Sequence, residues 1–276
     1  MSFAATIASL LEDCAIDEAI EAAKEQVKSA PSDKQARNLY IDLLVIKGDY
    51  ERADAQCNLA TNFSPEEVSG FALLRHQLRA MAARNAWFDE GALPQFIGEP
   101  TLREQEVLKL ALARRDGATD EALAILQQLD AEAEALTPTL ATGEKSVDFL
   151  RDGDDRTPYV LEVLTTGGAY LWVDYARIAG LELEPVTRPR DYAFRLARLT
   201  LHDGAVATVA LPAIYHGTPA EPALLLARET SWQKGESGLT VGHGQRCLIL
   251  GDDLVPLHQL PPLQAVSNAA GASAHG

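Results

Sequence analysis

The sequence predicts an α+β protein, with a helical first half and a mainly antiparallel, strand-rich second half. Up to about residue 136, apolar residues recur at spacings of three and four among strong helix formers such as Ala, Leu and Glu. A linker with Pro and Gly follows at 136–143, and beyond it the apolar pattern alternates, with frequent turn residues. We therefore expect a helical domain at 1–140, a β-rich domain at 141–263 and a disordered tail at 264–276.

The helical half contains an internal repeat. Residues 10–19 align with residues 44–53, and Pro31 aligns with Pro65, each at an offset of 34. This is the period of tetratricopeptide repeats, in which each helical pair buries its apolar face against its neighbours. We predict a tetratricopeptide-like array, although ordinary helical hairpins are also compatible with two copies. Further helices are expected at 66–88, 102–115 and 119–135.

In such an array, the first helix of each pair lines a concave groove. For the second repeat that helix is expected at about 34–47. Its polar side chains are candidates for partner binding, together with two arginines that are four residues apart on the next helix and share a face. The candidates are Gln35, Asn38, Asp42, Arg75 and Arg79. An ordinary solvated helix surface is the alternative interpretation.

The second half begins with two hairpins. Gly167-Gly168 lies between apolar runs at 159–164 and 170–175, and Asp203-Gly204 lies between runs at 196–202 and 205–211. Both turn sequences are strong hairpin signals. Further strands are expected at 146–150, 181–186, 224–229, 245–251 and 254–259. So many short strands predict a small barrel-like domain or a twisted antiparallel sheet.

Composition restricts the possible functions. The net charge is −16, and residues 1–140 hold 24 acidic but only 13 basic side chains, which argues against nucleic-acid binding. No apolar run approaches the ~20 residues of a membrane span, so we expect no membrane insertion. The N-terminus lacks the basic region of a signal peptide. Three separated cysteines fit buried thiols in a reducing cytoplasm.

No catalytic or metal-binding motif is recognisable in the sequence. Asp154 and Asp155 lie beside arginines and could serve acid–base chemistry, but a charged turn with internal ion pairs is the simpler interpretation. His243 and Cys247 cannot complete a zinc site by themselves. We expect no enzyme activity, no cofactor and no metal.

A basic cluster contrasts with the acidic chain. It consists of Arg188, Arg190, Arg195 and Arg198. Arginine pairs well with carboxylates, so the cluster either joins the two halves internally or recognises an acidic second partner through Arg188 and Arg190. Alternatively, it forms an enzyme site with Asp154 and Asp155, which would require a deep polar pocket with perturbed pKa values.

Several motifs together point to a known family. They are DDRTPYVLEVLTTGGAYLWVDYARI at 154–178, RPRD at 188–191, ARLTLHDG at 197–204, LPAIYHGT at 211–218 and RETSW at 228–232, with LLVIKGDYERADAQCNLA, LRHQLRA and GEPT upstream. These resemble the ImpE/TagJ (SciE) family, accessory proteins of the bacterial type VI secretion system. The resemblance extends over nearly the whole chain except its low-complexity tail.

The resemblance implies a cytoplasmic, non-enzymatic adaptor. It implies binding to the N-terminal helix of the small contractile-sheath subunit TssB, and a part in sheath handling alongside the unfoldase ClpV. A helical array that buries the apolar face of a peptide helix agrees with this expectation. The family pattern supplies no catalytic residues. A scaffold that docks a second partner through the β-rich domain is the alternative.

Overall fold

The first half of the chain is helical, as predicted. The computed structural model describes residues 2–63, 65–136, 139–143, 145–235 and 237–266. Within these ranges the helices of the first half are α1 (Phe3–Glu12), α2 (Ile16–Ser29), α3 (Lys34–Lys47), α4 (Tyr50–Ala60), α5 (Val68–Glu90), α6 (Leu102–Arg115) and α7 (Thr119–Leu136). A 3-10 helix at Pro65–Glu67 precedes α5.

The sequence repeat corresponds to a repeat of helices. α2 begins at Ile16 and α4 at Tyr50, and Ala19 and Ala53 lie fully buried where consecutive helices pack. The side chain of Asp33 caps α3 by accepting a hydrogen bond from the Ala36 N–H, at 3.0 Å. Helical pairs thus recur with the expected spacing, while the tetratricopeptide classification itself stays a prediction.

The second half is built from short antiparallel strands. They are β1 (Leu140–Thr142), β2 (Lys145–Val147), β3 (Leu150–Asp152), β4 (Val160–Thr165), β5 (Tyr170–Asp174), β6 (Ile178–Leu183), β7 (Phe194–Leu201), β8 (Val206–Pro212), β9 (Thr230–Lys234), β10 (Thr240–Gly244), β11 (Cys247–Leu250), β12 (Asp253–Pro256) and β13 (Leu263–Ala265). Eight form one sheet in the order β2-β1-β13-β6-β7-β8-β4-β5, and the others form the sheets β12-β11-β3 and β10-β9.

The barrel-like part of the fold prediction is not confirmed. Across the described strands the large sheet is open, with β2 and β5 at its edges. Closure would require these two strands to pair. However, the backbone of Gln95 already bonds to β5, donating to Tyr170 O at 3.0 Å and accepting from Trp172 N–H at 2.9 Å. β2 has only three residues with which to pair.

Several predicted strands differ in detail. The segment 146–150 is divided between β2 and β3, and the segment 254–259 ends in a 3-10 helix at Leu257–Gln259. The segment 224–229 is not a strand, because Pro222 starts a short helix, α8 (Pro222–Leu225), and Ala227 turns the chain with a φ of 52°. Sequence reasoning missed β1, β9, β10 and β13.

The predicted domain boundaries remain a prediction, but two observations bear on them. β1 spans the expected boundary at 140/141, and residues 264–265 of the expected tail pair in β13, while 267–276 lie outside the described residues. One continuous hydrophobic core includes residues of both halves. Within it, Trp87 of α5 meets Trp172 of β5 edge to face, with ring centroids 4.8 Å apart.

Buried charges also join the two halves. Glu162 of β4 is fully buried and accepts hydrogen bonds from Arg84 of α5 at 2.7 and 3.1 Å, and from the Tyr170 hydroxyl at 2.6 Å. It also forms an ion pair with Arg246, which in turn approaches Asp152 at 3.4 Å. Burial lowers the pKa of Arg246 to about 10. The helical half is therefore fixed to the sheet by compensated internal charges.

Candidate partner-binding cleft

A cleft of about 650 Å³ lies between α1, α3 and loops of the strand-rich half. One face of α1 forms its first wall through Ala4, Ile7, Ala8 and Leu11. These positions follow the helical spacing of three and four, so they share a face. Ile7 and Leu11 are buried and form the floor, whereas Ala8 is exposed to the cleft.

The opposite wall comes from the segment before β7. It includes Val186 and the 3-10 helix Pro189–Tyr192, which packs on α3. Val186 and Tyr192 are 41% and 36% exposed. The cleft therefore presents apolar surface from both walls.

An internal ion pair holds this wall against the helices. Asp42 of α3 is only 1% exposed and accepts hydrogen bonds from Arg188 Nε and Nη2, both at 2.9 Å, and from Arg190 Nη1 at 3.4 Å. Asp191 closes the turn by accepting from the backbone N–H groups of Thr187 and Arg188, at 2.8 and 3.0 Å. The segment 186–192 thus contacts Asp42, one of the α3 side chains that the sequence proposed for partner binding.

Arg228 closes the other end of the cleft. Its guanidinium donates to the carbonyl oxygens of Leu11 and Glu12, both at 2.8 Å, and approaches Cys14 Sγ at 3.1 Å. These carbonyls belong to the last turn of α1, where a cation also interacts favourably with the helix dipole. Arg228 therefore fixes α1 to the turn that follows α8.

His258 lines the cleft as a neutral side chain. Arg195 Nη1 lies 2.7 Å from its Nδ1, and because a guanidinium only donates, Nδ1 accepts and the proton sits on Nε2. Burial, aided by the positive charge of Arg195, lowers the pKa of His258 to about 4. The charged side chains lining the cleft are therefore Arg188, Arg228 and Glu12.

The remaining candidate residues do not converge on the cleft. Gln35 is exposed near the start of α3, and Asn38 donates to Glu67 at 3.3 Å. Arg75 makes a bidentate pair with Asp54, at 2.7 and 3.0 Å, and Arg79 lies exposed beside it. Of the predicted groove residues, only Asp42 meets the strand-rich half through Arg188 and Arg190.

Asp154 and Asp155 are buried and engaged in structural bonds. Asp154 accepts from Arg156 Nη2 at 2.6 Å and from the Gly242 N–H at 2.9 Å. Asp155 accepts from Arg151 Nη2 at 2.5 Å and from the Thr240 N–H at 2.6 Å. These bonds join the 151–156 turn to β10 and agree with a charged turn containing internal ion pairs.

The basic cluster does not act as one unit. Arg188 and Arg190 bind Asp42, Arg195 bonds His258, and Arg198 faces Glu182 across the β6–β7 pairing. Within the described parts of the chain, no group of three or more His, Cys, Asp or Glu residues could hold a metal ion.

Sequence reasoning missed the α1 face and Arg228. The signal for α1 was present as the apolar spacing at 4, 7, 8 and 11. The sequence could not reveal that part of this face stays uncovered. The role of Arg228 carried no local signal, since its partners are more than 200 positions away in the chain.

Comparison with known proteins gives these residues a family context. Residues 144–264 match the family model of the ImpE protein. The type VI secretion system accessory component TagJ of Pseudomonas aeruginosa is 29% identical over 243 residues, covering 87% of this chain and 85% of that protein. The chain therefore contains an ImpE family domain at residues 144–264 and is similar to TagJ over most of its length.

The fold of the chain also has a counterpart among solved structures. The crystal structure of the Vibrio parahaemolyticus protein VPA1032 aligns with a TM-score of 0.85 and 26% identity, over 96% of this chain and 99% of that one. The wall segment 186–192, Arg228 and His258 lie within the region that matches the ImpE model, whereas α1 lies outside that region. None of the described helices is long and apolar enough to cross a bilayer.

Proposed function

We propose that the protein is a non-enzymatic accessory component of a bacterial type VI secretion system, acting in the cytoplasm. The relative named for this system, TagJ, matches most of the chain and supports the assignment. In this proposal it binds the N-terminal helix of a TssB-like small sheath subunit and takes part in sheath handling alongside ClpV.

The observation that carries the proposal is the uncovered apolar cleft along α1. Its lining runs from Ala4 to Leu11, which at ~1.5 Å per helical residue corresponds to a trough of about 10 Å, or two helical turns. Grooves of this kind hold amphipathic helices by covering apolar residues spaced three and four apart.

The cleft combines both halves of the chain, which supports a role for the whole protein in binding. α1 supplies one wall, and Val186 and Tyr192 supply exposed apolar surface on the other. The Asp42–Arg188 pair fixes the second wall to α3, on which α1 also packs. A rigid, preformed groove reduces the ordering cost of binding.

The test is calorimetric titration of the full chain with a peptide of the cognate sheath subunit's N-terminal helix. The substitution A8W fills the cleft, whereas A5W changes a residue that is also exposed on α1 but does not line it. We expect A8W to weaken binding at least tenfold and A5W to bind like the wild type. No binding to the wild type would overturn the proposal, and equal binding to both variants would move the site elsewhere.

A further inference from the structure

The cleft does not share the strong negative charge of the protein. The whole chain carries −16, but the cleft is lined by two arginines, Arg188 and Arg228, and one carboxylate, Glu12. At physiological ionic strength, charges more than ~8 Å apart are largely screened in solvent. Asp42 compensates the charge of Arg188, so a partner seated in the cleft meets a nearly neutral lining in which the two arginines supply the charged donors.

Both arginines keep unused donor capacity. Arg188 binds Asp42 through Nε and Nη2, and Arg228 binds the end of α1 through Nη1 and Nη2. Throughout the described chain, no hydrogen bond involves Arg188 Nη1 or Arg228 Nε. The Arg188 side chain is 34% exposed and Arg228 is exposed at the rim. A guanidinium accepts no hydrogen bond, so a ligand satisfies these groups only with acceptors, of which carboxylates bind best.

The apolar and basic groups lie on the same cleft. Ala8, Val186 and Tyr192 supply exposed apolar surface, while Arg188 stands beside one wall and Arg228 at the end of α1. An amphipathic helix with apolar residues on one face and carboxylates flanking that face would meet both kinds of group. A helix flanked by lysines would place like charges against the arginines.

We propose that the cleft selects an acidic amphipathic helix, whose apolar face covers Ala8 and Val186 and whose flanking carboxylates pair with Arg188 and Arg228. This inference rests on the proposed function, which it deepens by giving the chemistry of the bound helix. The cognate segment of the sheath subunit therefore carries Asp or Glu beside its apolar stripe.

The test uses two labelled helical peptides that share their apolar positions and carry either Glu or Lys at the flanking positions. Peptides longer than roughly 15 residues are needed, because shorter isolated helices are marginally stable. Fluorescence anisotropy with the full chain at about 0.15 M salt gives both dissociation constants. We expect the Glu peptide to bind about tenfold tighter, since it gains two ion pairs near a partly desolvated surface and the Lys peptide places like charges there.

A matched pair of variants localises the effect. E12K reverses the single carboxylate of the cleft lining, and E25K reverses an exposed carboxylate on α2 that does not line it. Both change the net charge equally, and lysine is favourable at the last position of α1. We expect E12K to tighten binding of the Glu peptide about threefold or more, with E25K close to the wild type.

The outcomes separate this inference from the function on which it rests. Tighter binding of the Lys peptide, or equal effects of E12K and E25K, overturns the inference. The cognate sheath peptide is titrated in parallel. If it binds and ignores E12K, the proposed function stands and the acidic selectivity is wrong. If it fails to bind while the Glu peptide binds and responds to E12K, the inference stands and the sheath helix is not the partner.

Discussion

The buried carboxylate of Glu162 is expected to be among the most costly polar groups to remove. It lies between Arg84 and Arg246, which are 2% and 1% exposed. In E162Q one acceptor oxygen becomes an NH₂ group that faces these donors, and the negative charge is lost. Arg246 would then retain the 3.4 Å ion pair with Asp152, and Arg84 would lose the carboxylate to which it bonds in the described chain.

The size of the effect follows from the burial. Removing one partner of a buried ion pair costs ~3–5 kcal/mol, because the remaining charge stays desolvated. That is a large part of the ~5–15 kcal/mol by which native proteins are stable. With a change in Tm of ~2–4 °C per kcal/mol for a chain of this size class, we expect E162Q to melt about 6–20 °C below the wild type.

Urea and thermal unfolding followed by circular dichroism measure this difference. The matched control is E182Q, since Glu182 is exposed on β6 of the same sheet and faces Arg198 across the strand pairing. Exposed substitutions of this type usually change stability by less than ~0.5 kcal/mol. If E162Q and E182Q unfold at the same midpoint, the ion pairs around Glu162 do not join the two halves.

Two further predictions concern the cleft. D42N should lower the free energy of unfolding by ~2–3 kcal/mol, because Arg188 and Arg190 lose a partner that is 1% exposed. The control D54N breaks the exposed pair with Arg75 and should lower it by less than ~1 kcal/mol. Equal urea midpoints for the two variants would contradict this prediction. His258, which faces Arg195, Asp191 and Tyr192, has its pKa lowered to about 4, so its contribution to stability is full above pH 6.5 and is lost as the pH falls towards 4. Between pH 6.5 and pH 4, the free energy of unfolding of H258N should therefore fall by up to about 3 kcal/mol less than that of the wild type. Parallel pH profiles of unfolding for the two proteins would contradict this prediction.

The sequence determined the helices and the two main hairpins. Their signals are local, since a capping Asp33, a repeat of 34 residues and the Asp203-Gly204 turn act on neighbouring residues. The helices α3 and α6 accordingly lie where the apolar spacing predicted them. The family motifs are also short continuous strings of residues, so the sequence by itself was enough to recognise them.

Only the tertiary structure decided which candidate residues are available to a partner. Asp42 was a groove residue by its helical position, but Arg188 reaches it from 146 residues away and buries it. Arg228 likewise donates a hydrogen bond to the carbonyl oxygen of Leu11 in α1, which lies 217 residues earlier in the chain. Helical and strand periodicity specify which face of an element is apolar, but not what covers it, because coverage depends on long-range packing between elements. The open cleft along α1 is therefore a property of the assembled fold, built from an amphipathic helix that the sequence alone specifies.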